Sequence, residues 1–240
     1  IINLLQEPGK IVGGKIIFDG KEITKLNEKE MKSIRGREIS MIFQDATMSL
    51  NPIINIETQM IEAILAHKKI DYKKARNIAV QALIEVGIKD AELKIKYYPH
   101  EFSGGMRQRV AIAIALINKP KLIIADEPTT ALDVTTQAQV LYLTQKLCKE
   151  NKTTLIWITH DLSVLSGLVD KISIMYNGKI VETGAVDNIL DHPQHPYTKK
   201  LINSVPKDNV NEERVINDNV IKVQNLSKIY EKRKNLVSNF

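Results

Sequence analysis

Along the first forty-five residues, short apolar runs alternate with polar stretches. Ile1 to Leu5 is apolar and stops at Pro8-Gly9, which reads as the last turns of a helix. Lys15 to Phe18 and Glu38 to Phe43 are β-rich runs, and the polar stretch Asn27 to Arg35 between them reads as a helix. From Asn51-Pro52 to Val86 the apolar period lengthens. Ile61, Ile64 and Leu65, then Ala75, Ile78, Ala79, Ala82, Leu83 and Val86, recur at three- and four-residue spacing, with Gly87 as the C-cap candidate. Strands and helices then alternate. Lys121 to Ala125, Thr153 to Thr159 and Lys171 to Tyr176 read as strands, while Val134 to Lys149 and Leu162 to Val169 read as helices. Val134, Ala138, Leu141 and Cys148 line one face of the first of these helices. Such alternation implies a mainly parallel sheet with covered faces, whose ligands lie beyond the carboxyl ends of the strands. Functional residues are therefore expected just after Ala125 and Thr159. Lys207 to Asn219 reads as an exposed linker, and Val220 to Leu226 alternates again like a strand.

Composition narrows the class. The chain has 240 residues, enough for a substantial core, and its 43% hydrophobic and 26% charged residues are ordinary for a globular protein. A single cysteine, Cys148, excludes an internal disulfide framework and fits a reducing compartment. The net charge of +6 comes from scattered Lys and Arg, and with only 5% aromatics there is no stacking platform, so the charge reads as solvated surface, not a nucleic-acid footprint. No apolar run reaches the ~18 residues of a membrane span, so any membrane role is peripheral.

Four features carry chemistry. Leu122-Ile123-Ile124-Ala125-Asp126-Glu127-Pro128 is an apolar strand ending in two acids. In phosphoryl transfer a strand-end Asp holds Mg²⁺ and a neighbouring Glu polarises the attacking water; the bland alternative is two carboxylates capping the next helix. Ser103-Gly104-Gly105-Met106-Arg107-Gln108-Arg109 leads into Val110, Ile112, Ala113 and Leu116. Ser can cap that helix and two glycines let an anion approach its backbone N–H groups, or the segment is a plain capped start. Thr159-His160-Asp161 places an imidazole at a strand end, where it can meet a γ-phosphate or serve structure alone. Phe43-Gln44 places an amide at another strand end.

Taken together, Gln44, Ser103 to Gln108, Asp126-Glu127, Ala131-Leu132-Asp133 and His160 occur in the order of the Q-loop, signature motif, Walker B with its Glu, D-loop and H-switch. Over about residues 11 to 205 the chain resembles the ATP-binding cassette (ABC) ATPases. Met41-Ile42-Phe43-Gln44 with Ser49-Leu50-Asn51-Pro52, Gly104 to Arg109, and His192-Pro193-Gln194-His195-Pro196-Tyr197-Thr198 resemble the branch that imports oligopeptides, dipeptides, nickel and glutathione.

The resemblance implies an α/β fold: a P-loop NTPase-like, mainly parallel sheet with an antiparallel β edge region and an inserted α-helical subdomain. It implies a partial ABC ATPase domain over 1–205, with a helical and signature subdomain at 46–118 and the Walker B, D-loop, H-switch and tail at 119–205. A linker at 206–219 and the start of a second ABC domain at 220–240 follow, with Tyr230 in the place of the adenine-stacking aromatic. ATP and Mg²⁺ are the implied cofactors. Glu127, His160 and Gln44 are the implied catalytic residues, Asp126 and Gln44 the Mg²⁺ ligands, and Ser103, Gly104, Gly105, Gln108 and Asp133 further nucleotide contacts. Implied partners are a second ABC ATPase domain, integral membrane permease subunits and, indirectly, an extracytoplasmic solute-binding protein, at the cytoplasmic face of the membrane and with no nucleic acid.

One departure matters. The family's G-x-x-x-x-G-K-[ST] phosphate loop is not among these residues, because each Gly-Lys is followed by Ile11, Ile16, Glu22 or Ile180. The expectation is an N-terminally truncated piece, inactive alone. No iron–sulfur cluster is expected from one cysteine. The rival reading is a soluble ABC ATPase acting on ribosomes or nucleic acid, for which the pI of about 9.2 is the argument.

Overall fold

The computed structural model describes residues 1–5, 7–44, 49–130, 132–162, 167, 169–204 and 224–227. Ile1–Val205 forms one compact unit and Pro206–Phe240 a second.

Three parallel strands carry the first unit: β3 (Ile39–Ile42), β4 (Leu122–Asp126) and β5 (Thr154–Ile158), in the order β3-β4-β5. Their register pairs Ile42 with Ala125 and Asp126 with Ile158, so all three end at the same level. Two antiparallel hairpins accompany them, β1 (Ile17–Phe18) with β2 (Lys21–Glu22), and β6 (Lys171–Tyr176) with β7 (Lys179–Ala185). This is the expected mixed α/β fold, with a parallel sheet, antiparallel pairs and an inserted run of helices.

Alternation along β4 sends its side chains to two cores. Ile123 and Ala125 join the larger cluster with Ile42, Met60, Ile64, Leu83, Val110 and Ile112. Ile124 joins a smaller one with Ile23, Met31 and Ile39. The larger core is roofed by α2 (Ile56–Leu65), α3 (Tyr72–Glu85), α5 (Gly104–Leu116) and α6 (Val134–Asn151). Their starts are dictated locally, for Asn55, Asp71, Ser103 and Asp133 each accept a backbone N–H from three residues on. The helical pattern from Asn51 to Val86 is carried by two helices, the second opened by Asp71. Asn27 likewise opens α1 (Glu28–Ile34) with a full capping box to Glu30. Gly87, at φ 78°, ends α3 as expected, with Ile88 N–H donating back to Leu83. A short α4 (Ala91–Lys94) follows, and α7 (Val186–Asp191) and α8 (Pro196–Asn203) close the unit.

Two expectations need correction. Ile1 to Leu5 is irregular, not helical. The Ile2 and Asn3 carbonyls accept hydrogen bonds from Arg35, with Ile2 in one cluster with Met31. The buried face of α6 consists of Val140, Leu141, Thr144, Leu147 and Cys148, whereas Val134 is 83% exposed and Ala138 is also exposed. Leu141 and Cys148 keep the expected face, while Val134 and Ala138 lie in the first turns, before burial begins at Val140. Burial pushes the Cys148 thiol up to about 11. The helix suggested over Leu162 to Val169, the linker, most of the strand from Val220, and Tyr230 lie outside the described residues.

Candidate nucleotide-hydrolysis site

The level ends of the three strands deliver three side chains to one place. Gln44 follows β3, Glu127 follows β4 and His160 follows β5. Gln44 Nε2 donates to Glu127 Oε2 at 2.9 Å, and His160 Nδ1 lies 2.9 Å from Glu127 Oε1. A third group, Thr130, was not singled out in the sequence: its hydroxyl donates to Glu127 Oε2 at 3.1 Å and lies 3.2 Å from the Glu127 carbonyl oxygen. Only the general rule that Ser and Thr hydroxyls bond to nearby backbone hints at it.

Backbone geometry turns the carboxylate toward these donors. Glu127 adopts a left-handed conformation, φ 43°, which costs a non-glycine residue roughly 1–2 kcal/mol. Its N–H is fixed by the Ile158 carbonyl and its own carbonyl by Thr130 N–H, so the strained residue is held from both sides. The electrostatics follow from these contacts. The His160 hydrogen bond, then that of Thr130, holds the Glu127 carboxyl below the ordinary carboxylate range. Glu127 in turn raises the His160 pKa above its ordinary value. With a proton on Nδ1 the ring donates to Glu127, and Nε2 is left to face solvent on a side chain 69% exposed.

Asp126 closes β4 half-buried, one residue before this cluster. No group of three or more His, Cys, Asp or Glu side chains is gathered for a metal among the described residues. Mg²⁺ takes one or two carboxylates together with substrate phosphates and water, so the carboxylate of Asp126 and the amide oxygen of Gln44 are donors of the type this ion accepts.

The glycine-rich segment lies at the start of α5. Ser103 caps it, Oγ accepting from Met106 N–H at 3.3 Å, as its residue type suggests. Gly104 and Gly105 are the first two residues of the helix. Asp133 caps α6, and its carboxylate is held below the ordinary range first by Thr136 N–H and next by the Thr136 hydroxyl. Gln108 behaves differently from expectation. It is 3% exposed, turned into the protein with its amide nitrogen unpartnered among the described residues, a position suited to packing α5 more than to meeting a nucleotide.

The His192 to Thr198 segment also acquires a physical account. Glu182 on β7 accepts the Gln194 N–H at 2.8 Å and the His195 N–H at 3.1 Å. The Glu182 carboxyl is held below the ordinary carboxylate range first by the buried Thr198 hydroxyl and next by the Gln194 and His195 N–H groups. His195 Nδ1 caps α8 by accepting the Tyr197 N–H, and Tyr197 stacks on Tyr176 with ring centres 4.2 Å apart. Glu182 was not legible in the sequence, because a single Glu on a hairpin carries no motif. No helix among the described residues is long and apolar enough to cross a membrane.

Comparison with known proteins adds independent findings. Residues 1–130 match the family model described as ABC transporter, and residues 181–235 match that of the oligopeptide/dipeptide transporter C-terminal region. The oligopeptide transport ATP-binding protein OppD of Bacillus subtilis (strain 168) is 52% identical over 199 residues, 83% of this chain and 56% of the relative. The dipeptide transport ATP-binding protein DppD of the same organism is 49% identical over 202 residues, 84% of this chain and 60% of the relative. The chain thus spans between half and two thirds of the length of these relatives. Among solved structures, the ATP-binding cassette MJ0796, a dimer in a post-hydrolysis state bound to ADP and Pi, superposes with a TM-score of 0.64 at 28% identity, covering 73% of this chain and 74% of that one. The cbiO1 protein of Clostridium perfringens, part of the ABC transporter complex cbiONQ, gives a TM-score of 0.65 at 28% identity, covering 75% and 69%.

Proposed function

The chain belongs to the ABC transporter ATP-binding family, and from that membership we propose that it forms part of the ATP-hydrolysing subunit of an importer for peptides or a related small solute such as nickel or glutathione. The observation that carries this reading is the convergence of Gln44, Glu127 and His160 from three parallel strand ends onto one carboxylate. A phosphate loop of the kind these 240 residues lack belongs to the same reading and would come from elsewhere in the full-length protein.

In the mechanism, Glu127 acts as general base. Its carboxylate takes a proton from a water, the water oxygen attacks the γ-phosphorus of ATP, and the bond to the β-phosphate oxygen breaks to leave ADP and phosphate. The depressed pKa keeps Glu127 ionised at neutral pH, and the left-handed turn aims it beyond the strand ends. With its ring protonated on both nitrogens, His160 donates Nδ1–H to the carboxylate and Nε2–H to a γ-phosphate oxygen. Gln44 donates through Nε2 to Glu127, which leaves its amide oxygen to report whether a metal is present. Asp126 and Gln44 would hold Mg²⁺, which supplies neutralisation of the charge on the β- and γ-phosphate oxygens. Ser103, Gly104 and Gly105 would contact the nucleotide held by a second ABC domain, and Asp133 would lie at the same contact.

The helices between β3 and β4 would transmit closure of that pair to membrane permease subunits, supplied by an extracytoplasmic solute-binding protein. The subunit would sit peripherally at the cytoplasmic face. The test is reconstitution of the full-length protein with its permease subunits in proteoliposomes. ATP-dependent uptake of labelled di- or oligopeptide is expected; uptake of nickel or glutathione alone would reassign the solute. Purification with ribosomes or nucleic acid in place of membrane subunits would overturn the importer reading.

A further inference from the structure

Gly105 poses a question that its backbone does not answer. It occupies the second position of α5 with ordinary helical geometry, and its φ is not among the positive values. Alanine would favour the helix there, since glycine is the poorest helix former short of proline. Space gives the answer. A Cβ at position 105 would lie 2.7 Å from Cγ2 of Thr136 on α6, well inside van der Waals contact, whereas a Cβ on Gly104 would meet nothing closer than Leu132 Cδ2 at 3.9 Å.

Thr136 is not free to step aside. It is β-branched and therefore stiff about χ1 on a helix. Its N–H donates to Asp133 Oδ1 at 3.0 Å, and its hydroxyl is the second of the groups that stabilise the Asp133 carboxylate. Rotating the methyl away from position 105 would carry the hydroxyl out of its place beside Asp133. One side chain therefore faces both turns, methyl toward Gly105 and hydroxyl toward Asp133. A second tie runs nearby, from Arg109 on α5 to Gln139 Oε1 on α6 at 3.0 Å.

We propose that Thr136 is a positioning residue that keys the Ser103–Gly105 turn to the Asp133 turn, its methyl group filling the space that any side chain at position 105 would need. The two turns then move as one surface, presented together to a nucleotide held by a second ABC domain. The consequence for turnover rests on the function proposed above; the contact itself does not. The second glycine is then required by the close approach of two helices, whatever contact it also makes with a phosphate.

The experiment is a double-mutant cycle in the full-length protein assembled with its permease subunits: Gly105→Ala, Thr136→Ser and the pair. Serine removes Cγ2 and keeps the hydroxyl, and Thr136→Ser alone supplies the reference rate. Gly105→Ala is expected to lower ATP turnover at least about tenfold, the change that corresponds to ~1.4 kcal/mol. Gly105→Ala/Thr136→Ser is expected to return to within about twofold of the reference, the coupling that a shared contact produces. A double variant as slow as Gly105→Ala overturns the proposal, as does Gly105→Ala at the unsubstituted rate. Should Gly105→Ala fail to fold, recovery of a cooperative melt in the double variant supports the contact and a failure to recover sinks it. Absence of ATP turnover in the unsubstituted protein would refute the ATPase reading and leave the melting cycle to decide the Thr136 contact.

Discussion

The two clusters of candidate functional residues are built on opposite principles. Around Glu127, four side chains from three segments meet through hydrogen bonds at 2.9 to 3.1 Å, and His160 stays largely open to solvent. Around Gly105, the contact is between two helices whose separation is set by a methyl group. The first cluster can open and re-form as its partners exchange donors; the second has no room to adjust. Proteins concentrate exchangeable polar contacts where chemistry or motion occurs and close packing where geometry must be kept.

Predictions can press on that contrast. The largest expected effect is Glu127→Gln in the full-length protein, which removes the base and leaves the cluster's shape. Phosphate release should fall by roughly 10²- to 10⁴-fold, with nucleotide binding and melting temperature retained. A variant that turns over at the unsubstituted rate would remove Glu127 from its role. Next is Ile123→Ala, beneath both clusters on β4 and fully buried. It should cost about 2–5 kcal/mol in denaturant unfolding, since it leaves a cavity the three strands cannot collapse into. A loss under ~1 kcal/mol would show that Ile123 does not anchor the larger core. Ser103→Ala should be milder, at roughly 1 kcal/mol, because only one helix cap is lost.

The smallest effect is a titration. The His160–Glu127 pair requires a charged imidazole and an ionised carboxylate. It is fully present below the ordinary His value of 6.5, weakens as pH rises through the raised His160 value, and at the acid end is lost as pH falls through the lowered Glu127 value. The NMR midpoint of His160 should therefore lie above 6.5 and move down in Glu127→Gln. An unchanged midpoint would show that the two side chains do not meet in solution.

The parallel strands were legible to within a residue, because Leu122–Asp126 and Thr154–Ile158 are apolar runs bounded by polar ends. What lay on either side of them was less so. Leu155 and Trp157 pack on the larger core, while Ile156 and Ile158 on the other face are exposed, a difference that apolar residue type does not encode. Gln44, Glu127 and His160 could be named from residue type, order and resemblance, and the register of the sheet explains why they meet. Thr130, Thr136 and Glu182 could not. Each acts through a contact whose meaning appears only when a neighbouring segment is in place: a left-handed turn, a second helix, a following hairpin. The exposed start of α6 has the same origin, since Val134 and Ala138 share the stripe of Leu141 and Cys148 but lie in turns ahead of the buried stretch that begins at Val140.

Cys148 makes the contrast between the clusters measurable. It is buried on α6, the helix that also carries Asp133 and Thr136, and its thiol, pushed up to about 11, is almost entirely protonated at neutral pH. A thiol-specific dye can reach it only when the helix lifts from the core. Its labelling rate is therefore a built-in clock for that opening, and a reporter cysteine placed at an exposed position such as Tyr142 would react against a nearly silent background.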